Sequence, residues 1–383
     1  MKRSALGLQV PVGTEDILPR NQAFSRTLEQ GILGLFAAWA YQEVSTPTLE
    51  YGSAISPQPD KEDLLYKFFD REGRVLALRP ELTTPIARMV GTRLRHEPVP
   101  LRLCYAADVF RLQKAPARRE FRQAGVELLG SSSAVADAEI IALAVDTLKL
   151  VGVKDFQINL GHIEIFRGLI ADLGLNRETC AVVEGCLARK DFVALELTLA
   201  KTKLTAEQIS LVLSVPTFHG GEEVLARVEK LAQSQRTLAA LANLRQVYQA
   251  LGLFGVQAQV AIDLGVLRGF DYYTGIVFEG YAPDLGFPLC EGGRYDDLLG
   301  NFGYACPATG FAINLEHLVK VLELPEYEAA QVFVAGGDQA SVINKAASLR
   351  QQGLRVQIAL EAMTGPEAEA YAKARGIKRV EFV

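Results

Sequence analysis

The order of strand-like and helix-like segments constrains the fold of this chain more than any other feature of its sequence. The strand-like segments form two groups, separated by 162–250, a stretch that is almost entirely helical by pattern. A further helix, rich in Ala, Ile and Leu, is predicted over 134–151. The strand-like segments are 75–79, 101–110, 124–129, 258–264 and 274–281. This order predicts one α+β domain over residues 1–325, with a helical insertion at about 165–255.

The N-terminal part of this domain combines a helix with an interrupted strand. Apolar residues at helical spacing predict a helix over about 21–39, and the segment 41–51 predicts a strand that Pro47 breaks. Because proline cannot donate a hydrogen bond to a neighbouring strand, we expect Pro47 at a sheet edge or at an interface.

The C-terminal residues predict a second, smaller domain. Leu324-Pro325-Glu326-Tyr327 has the composition of a linker, and strands then alternate with helices from 331 to 383, as in a β-α-β-α-β unit. Such alternation favours a mostly parallel sheet. We therefore expect a small α/β domain over 329–383. A Gly-rich turn at Gly292-Gly293 and an apolar helix over 311–323 are predicted before it.

The charge balance argues against a long nucleic acid as a stable partner. The chain has 40 Lys and Arg against 45 Asp and Glu, a net charge of -5. Proteins that follow a nucleic-acid backbone usually carry a basic excess or a dense basic face. The one local basic patch is 111–122. We expect no stable tRNA binding.

Cysteine and histidine spacing predicts neither a disulfide framework nor a metal site. The five cysteines are scattered and never spaced as C-x-x-C, and no two histidines have metal-ligand spacing. No apolar run reaches the roughly 18–20 residues that cross a bilayer, and no apolar region follows the N-terminal Met-Lys-Arg-Ser. We expect a cytoplasmic protein without a metal or cofactor and without membrane contact.

The first candidate site segment is L-R-P-E-L-T at 78–83. If it is a strand, Glu81 and Thr83 share one face, and a carboxylate beside a hydroxyl suits an ammonium group. An exposed strand pair explains the same spacing.

The second segment, 110–130, predicts a strand, a basic loop and a second strand. Arg111 lies at the rim of this hairpin, and Gln123 and Glu127 share a strand face. Arg-rich hairpins are usually solvated loops, so the three side chains become a site only if the hairpin lines a pocket.

The third segment, 267–281, places Arg268 beside the tyrosines Tyr272 and Tyr273. A guanidinium suits a carboxylate or a phosphate. Paired tyrosines are equally compatible with a core.

Two more segments are less specific. A Gly-Gly turn leading into a helix at 290–300 can bind an anion or simply let the backbone pack under a pocket. The stretch 307–323 predicts a Gly-bearing strand that runs into an amphipathic helix.

Together these segments resemble the histidyl-tRNA synthetases. The matching order is PVGTEDILP, LRPELT, FR…REFRQAGVELLG, LRGFDYYTGIVFE, GGRYDDLL and GFAINLEHL, with counterparts of class II motifs 1, 2 and 3. The resemblance runs from about residue 10 to 325. It implies a class II aminoacyl-tRNA synthetase-like core, an antiparallel sheet flanked by helices. The last fifty residues resemble the start of the synthetase's anticodon-binding domain and stop well short of a full one.

The resemblance also implies a histidine pocket. In the family, the counterparts of Glu81, Thr83 and Gln123 hold the amino group of histidine, and those of Glu127 and Tyr273 face its imidazole. The counterparts of Arg111 and Arg268 face the carboxylate and the activating phosphate. Tyr272 lies beside them. All these residue types are present here.

Departures from the family fall on the ATP side. Gln113 stands where motif 2 has an acidic residue that recognises adenine, and Arg122 replaces the histidine of F-H-Q. His317 stands where motif 3 has an arginine that clamps ATP phosphates, and an imidazole cannot supply that bidentate fork. These changes indicate that amino-acid activation is lost while the amino-acid pocket is kept.

With that combination the chain resembles the regulatory subunits of short-form ATP phosphoribosyltransferases, the paralogues of the synthetases. This resemblance implies a short catalytic subunit as partner, histidine as effector, and a hetero-octamer in which dimers of this chain pair through motif 1 near Pro47. Two alternatives stay open: an atypical histidyl-tRNA synthetase or amino-acid-activating paralogue, and a scaffold that binds no small molecule. The effector site can also lie at the subunit interface, with this pocket a relic.

Overall fold

A computed structural model describes residues 8–55, 64–112, 118–230, 234–267, 272–283, 285–326 and 330–383. The chain divides into two compact units, residues 1–323 and residues 324–383. Arg268 and Gln113 lie outside the described residues. Within the described ranges, no helix combines the length and the apolar composition that crossing a bilayer requires.

The larger unit is a mixed helix and sheet structure. Its strands are β1 (Gln42–Glu43), β2 (Leu49–Tyr51), β3 (Lys67–Phe69), β4 (Val75–Leu78), β5 (Leu101–Phe110), β6 (Glu120–Leu129), β7 (Gln157–His162), β8 (His219–Gly220), β9 (Val260–Asp263), β10 (Ile276–Tyr281), β11 (Cys290–Arg294) and β12 (Ala308–Asn314). Its helices are α1 (Pro19–Ala38), α2 (Gly52–Ile55), α3 (Thr83–Met89), α4 (Ala134–Leu150), α5 (Ile163–Asp172), α6 (Arg177–Ala188), α7 (Phe192–Leu199), α8 (Ala206–Ser214), α9 (Glu223–Glu229), α10 (Gln235–Leu253) and α11 (Leu315–Val321).

Among the described residues, nine strands form the main sheet in the order β1-β5-β6-β12-β11-β10-β7-β9-β8. The pairs from β5 to β7 along this order are antiparallel, whereas β1 pairs parallel with β5 and β7 pairs parallel with β9. A separate small antiparallel sheet has the order β2-β4-β3. The predicted α+β class and the mostly antiparallel core sheet are confirmed.

Helices α4 and α1 cover the main sheet. Helix α4 begins after Ser133, whose Oγ accepts the N–H of Ala136 at 3.2 Å and so satisfies one free donor of the first turn. Nearly all of its apolar residues from Ala136 to Leu148 are buried, whereas Val135 and Leu150 at its two ends are exposed. From α1, Phe36 is fully buried and packs edge-on against Phe311 of β12, with ring centroids 5.9 Å apart. Because these helices cover one face of the main sheet, a site on β6 has to lie on the opposite face.

Helices α5 to α10 lie between β7 and β9, in the region of the predicted helical insertion, and among the described residues only the two-residue strand β8 interrupts them. The predicted helices over 21–39 and 134–151 correspond to α1 and α4. The predicted interrupted strand 41–51 is two strands, β1 and β2, which belong to different sheets.

Two sequence predictions are wrong. Gly292 and Gly293 do not form a turn but lie inside strand β11. The reason is close packing, because a Cβ at Gly292 would lie 2.5 Å from the carbonyl oxygen of Gly310, and one at Gly293 would lie 2.9 Å from the Tyr273 ring. The segment 311–323 starts as strand β12 and becomes helix α11 only at Leu315.

Residues 78–83 do not form one strand, so the condition under which Glu81 and Thr83 would share a strand face is not met. Strand β4 ends at Leu78 and helix α3 begins at Thr83. Pro80 has no N–H for a strand ladder, and both carboxylate oxygens of Glu81 accept the N–H of Thr84 at 3.1 Å, which caps the helix instead.

The smaller unit has the predicted β-α-β-α-β order. It consists of β13 (Val332–Ala335), α12 (Gln339–Gln351), β14 (Val356–Ile358), α13 (Gly365–Ala374) and β15 (Arg379–Phe382). Its strands are all parallel, in the order β14-β13-β15, as predicted for this alternation.

Candidate functional site

Strand β6 carries two polar side chains of the site on one buried face. Gln123 is 8 % exposed and Glu127 is 2 % exposed, as the spacing of four residues on a strand predicts. Gly310 of β12 lies opposite Glu127 in the sheet register, and a Cβ there would overlap the carboxylate oxygen Oε2. The absence of a side chain at Gly310 therefore makes the space that Glu127 occupies.

Glu127 is held by a tyrosine that was not among the predicted site residues. The hydroxyl of Tyr295 donates to Glu127 Oε2 in a short hydrogen bond, and the ring of Tyr272 stacks on that of Tyr295 with centroids 5.2 Å apart. Tyr295 lies in the quoted segment GGRYDDLL, but its partner is 168 residues away. Only the position of Tyr295 directly after a strand hinted at a site role.

A second missed residue is Tyr105 of β5. It is 2 % exposed and pairs in register with Gly125 of β6, where a Cβ would lie 2.5 Å from the Tyr105 hydroxyl. Burial raises the pKa of Tyr105 well above its usual value, and the charges of Glu127 and Glu81 add to that shift. Tyr105 thus lies among the site residues as a neutral hydrogen-bonding group.

The segment before α3 completes the acidic side. Thr83 lies close enough to Glu127 and to Tyr272 to oppose the rise in pKa that burial causes in both, although neither Glu81 nor Thr83 is on a strand. The structure therefore brings Glu81, Thr83 and Glu127 together by a route other than the predicted one. Tyr273 packs edge-on against Tyr272, with ring centroids 4.9 Å apart.

Arg111 lies directly after β5 and is tied to the same segment. Its Nε donates to the carbonyl oxygen of Pro80 at 2.8 Å, and its guanidinium lies 5.2 Å from the centre of the Phe121 ring. Its charge also lowers the pKa of Tyr105, which places it near the other site residues. Of the predicted site residues, only Arg268 lies outside the described chain.

The protonation state of Glu127 suits an imidazole ligand. Burial raises the pKa of Glu127 to about 8, against the opposing hydrogen bonds from Tyr295 and Thr83. At neutral pH this carboxyl group can hold or release a proton. A neutral imidazole has one N–H donor and one bare nitrogen, so it can pair with either form. Gln123 adds a buried side-chain oxygen for which no partner exists among the described residues.

This pKa shift predicts a pH-dependent stability. Between about pH 4.5 and pH 8 the folded chain keeps a proton on Glu127 that the unfolded chain has lost, so raising the pH in this window removes stability. We expect a loss of up to about 4 kcal/mol from this group. Urea unfolding of wild type and Glu127→Gln from pH 5 to pH 8 measures it. The variant should lack this part of the pH dependence; parallel curves would contradict the prediction.

Two residues at which the sequence departs from the synthetases, His317 and Arg122, are held by other contacts. Nδ1 of His317 lies 2.8 Å from the carbonyl oxygen of Pro288, and its ring lies 4.1 Å from the centre of the Phe287 ring. Burial lowers the pKa of His317, which favours a neutral imidazole. Arg122 forms a bidentate ion pair with Glu29 of α1, at 2.7 and 2.8 Å. Neither side chain offers a free cationic fork.

Comparisons with known proteins match this chain both to a family model and to individual relatives. A family model described as Histidyl-tRNA synthetase matches residues 13–318. An ATP phosphoribosyltransferase regulatory subunit of Desulfitobacterium hafniense (strain DSM 10664 / DCB-2) is 52 % identical over 383 residues, all of both chains. A protein of the same description from Moorella thermoacetica is 48 % identical, covering 98 % of both chains.

Solved structures of proteins with these two descriptions also match the chain. The chain matches an ATP phosphoribosyltransferase regulatory subunit/histidyl-tRNA synthetase from Bacillus halodurans C with a TM-score of 0.88 and 31 % identity, covering 98 % of each chain. It matches a histidyl-tRNA synthetase from Nostoc sp. PCC 7120 with a TM-score of 0.84 and 23 % identity, covering 97 % of this chain and 90 % of that one. The second match supports the fold alone.

Proposed function

Because the chain belongs to the family of ATP phosphoribosyltransferase regulatory subunits, we propose that it is the non-catalytic, histidine-sensing subunit of a short-form ATP phosphoribosyltransferase. In this role it supports a short catalytic subunit that joins ATP to phosphoribosyl pyrophosphate in the first step of histidine biosynthesis. It also conveys feedback inhibition by histidine. The proposal includes no cofactor, no stable tRNA binding and no catalysis by this chain alone, and it places the complex in the cytoplasm.

The observation that carries this proposal is the contrast between the two sides of the site. Glu127 is buried with Tyr295 and Thr83 in an intact set of polar groups, whereas His317 is turned onto the carbonyl oxygen of Pro288. Polar groups that suit an ammonium group and an imidazole ring, beside a nucleotide side without its arginine fork, suit binding without activation.

The proposed ligand contacts follow the family's pattern. Glu81, Thr83 and Gln123 receive the ammonium group, and Glu127 and Tyr273 face the ring. Arg111 and Arg268 face the carboxylate, and Tyr272 packs beside the ring. A ligand that lacks the ring N–H or the ammonium group would leave buried polar groups unpaired, which costs on the order of 1–3 kcal/mol for each group. This accounts for selectivity towards histidine.

Self-association is proposed through the motif 1 region near Pro47, within a hetero-octamer. Support comes from the small sheet β2-β4-β3, which exposes several large apolar side chains: Leu49 at 45 %, Tyr51 at 47 % and Phe69 at 73 %. Exposed apolar groups on one small sheet are typical of a protein interface. The domain over 329–383 is proposed to be anticodon-binding-like by descent, without an RNA-binding role.

Reconstitution with the short catalytic subunit tests the proposal. We expect the two chains to co-purify, the catalytic subunit to need this chain for activity, and histidine to inhibit the complex. Coupling must be reciprocal, so the inhibited complex should bind histidine more tightly than the active one. A complex that is fully active without this chain, or insensitive to histidine, would contradict the proposal.

A second candidate function is that of an atypical histidyl-tRNA synthetase or amino-acid-activating paralogue. The position of Arg111 beside the Glu81 segment favours it, because an arginine there can hold a carboxylate that is being activated. Histidine-dependent ATP–pyrophosphate exchange by the isolated chain separates the two functions. Appreciable exchange supports the enzyme, and its absence together with histidine binding supports the regulatory subunit. A chain that binds no histidine at all would be a scaffold.

A further inference from the structure

Arg79 is a buried arginine next to the site that the proposed function has not used. Its side chain is 5 % exposed. Its Nη1 donates to the carbonyl oxygens of Thr46 at 2.6 Å and Pro47 at 3.4 Å, and its Nε donates to the carbonyl oxygen of Asp108 at 2.9 Å. One guanidinium thus joins two segments that are far apart in sequence, because its planar fork carries donors that point in different directions.

The main chain around Arg79 is fixed to the same two segments. Its N–H donates to the carbonyl oxygen of Thr48 at 3.0 Å, and its own carbonyl oxygen accepts the N–H of Phe110 at 3.0 Å. The next carbonyl oxygen, that of Pro80, accepts Nε of Arg111 at 2.8 Å. The two residues that precede Glu81 are therefore held from both sides, which limits the directions in which Glu81 can point.

The contacts of Arg79 indicate a geometric role. Within the described part of the chain its guanidinium forms no ion pair with a carboxylate, and the contacts are made with backbone carbonyl oxygens and, at 3.5 Å, with Oγ1 of Thr46. A buried cation without a carboxylate is costly, and a lysine offers only a single point charge in place of a planar fork. The position therefore requires donors aimed at two segments at once.

We infer that Arg79 is a positioning residue for the carboxylate of Glu81, and through it for the amino group of a bound amino acid. This inference rests on the proposed function, in which Glu81 receives the ammonium group. Glu127 lies on β6, which is paired on both sides with β5 and β12, so the sheet and not the 79–81 segment sets its backbone position. Loss of Arg79 should therefore affect recognition of the ammonium group and leave recognition of the ring.

The test compares two ligands of the full-length chain by calorimetry. Histidine has the ammonium group, and imidazolepropionic acid has the same ring and carboxylate without it. For Arg79→Lys we expect histidine affinity to fall about tenfold or more and imidazolepropionic acid affinity to change by less than about twofold. The change disturbs the contact of Glu81 with the ammonium group, whereas Arg111, which faces the carboxylate of both ligands, is placed by its position directly after β5. Arg88→Lys is the matched control, because Arg88 forms a bidentate pair with Glu50 at 2.9 and 2.6 Å outside the site.

The outcomes separate this inference from the proposed function. Equal weakening of both ligands in Arg79→Lys, or no weakening of histidine, overturns the positioning role while the proposed function stands. A wild-type chain that binds neither ligand overturns the proposed function and the inference with it. If thermal unfolding shows that Arg79→Lys is not folded at the assay temperature, Arg79→Gln, which keeps an N–H donor without the charge, replaces it. Selective loss of histidine affinity in that variant supports the positioning role, and equal or no weakening overturns it.

Discussion

Replacing Glu127 by Gln is expected to weaken histidine binding by about 100-fold or more, which corresponds to about 3 kcal/mol. Bound histidine is expected to pair its ring N–H with the ionised form of Glu127. The amide keeps the shape of the side chain but carries no negative charge, and with its oxygen on the Tyr295 hydroxyl it offers the ring only an N–H donor and no acceptor for the imidazole N–H. Because Glu127 is buried, the imidazole N–H that is left unpaired has no water molecule as an alternative hydrogen-bond partner. Calorimetry with histidine measures the effect.

Glu139→Gln is the control for that prediction. Glu139 also accepts a tyrosine hydroxyl, that of Tyr41 at 2.9 Å, and it pairs with Arg102, but it lies outside the site. We expect histidine affinity to stay within about twofold of wild type in this variant. Similar losses in the two variants would mean that the effect comes from general destabilisation, and unchanged binding in Glu127→Gln would remove this pocket as the histidine site.

Replacing Asp137 by Ala is expected to destabilise the fold by about 3–5 kcal/mol. Asp137 is 1 % exposed, accepts Nε of Arg294 at 3.1 Å and lies 3.0 Å from its Nη2. Without it, the buried guanidinium keeps only Asp296 and the carbonyl oxygen of Ser131 among the described residues. Since Arg294 precedes Tyr295, the variant should also loosen the support of the site. Urea unfolding at pH 7 measures the change.

An exposed pair of an acid with an arginine provides the control. Glu72 pairs with Arg74, both side chains are more than half exposed, and such pairs contribute little. Glu72→Ala should therefore leave the unfolding midpoint almost unchanged. If Asp137→Ala does not fold, Asp137→Asn, which retains one acceptor, should show a smaller loss of the same sign. A loss below about 1 kcal/mol for Asp137→Ala would show that Asp296 compensates the guanidinium by itself.

The parts of the site that depend on local periodicity were predictable from the sequence. Gln123 and Glu127 lie on one face of β6 because a strand alternates with a period of two, and this holds whatever the strand packs against. The helical insertion and the C-terminal β-α-β-α-β unit were also predictable from local periodicity, with the helical period of about 3.6 residues in the helices. Their patterns extend over enough residues to outweigh single exceptions.

Most of the features that the sequence did not predict depend on contacts between residues distant in sequence, and one depends on a neighbouring proline. Gly292 and Gly293 have turn-like composition, but they are glycines because neighbouring strands and the Tyr273 ring leave no space for a Cβ. The contact between Tyr295 and Glu127 cannot be derived from either segment alone. Glu81 follows a strand pattern and yet caps a helix, because Pro80 ends the ladder just before it.

The pairing of Gly310 with Glu127 has a practical consequence for sorting related sequences. Any side chain at position 310 would overlap the volume that the Glu127 carboxylate occupies, so the residues at the two positions cannot vary independently. A relative that carries alanine or serine at the first position should have shortened or lost the acid at the second. Such a pair of changes would identify, from sequence alone, relatives that have this fold but have lost the proposed recognition of histidine.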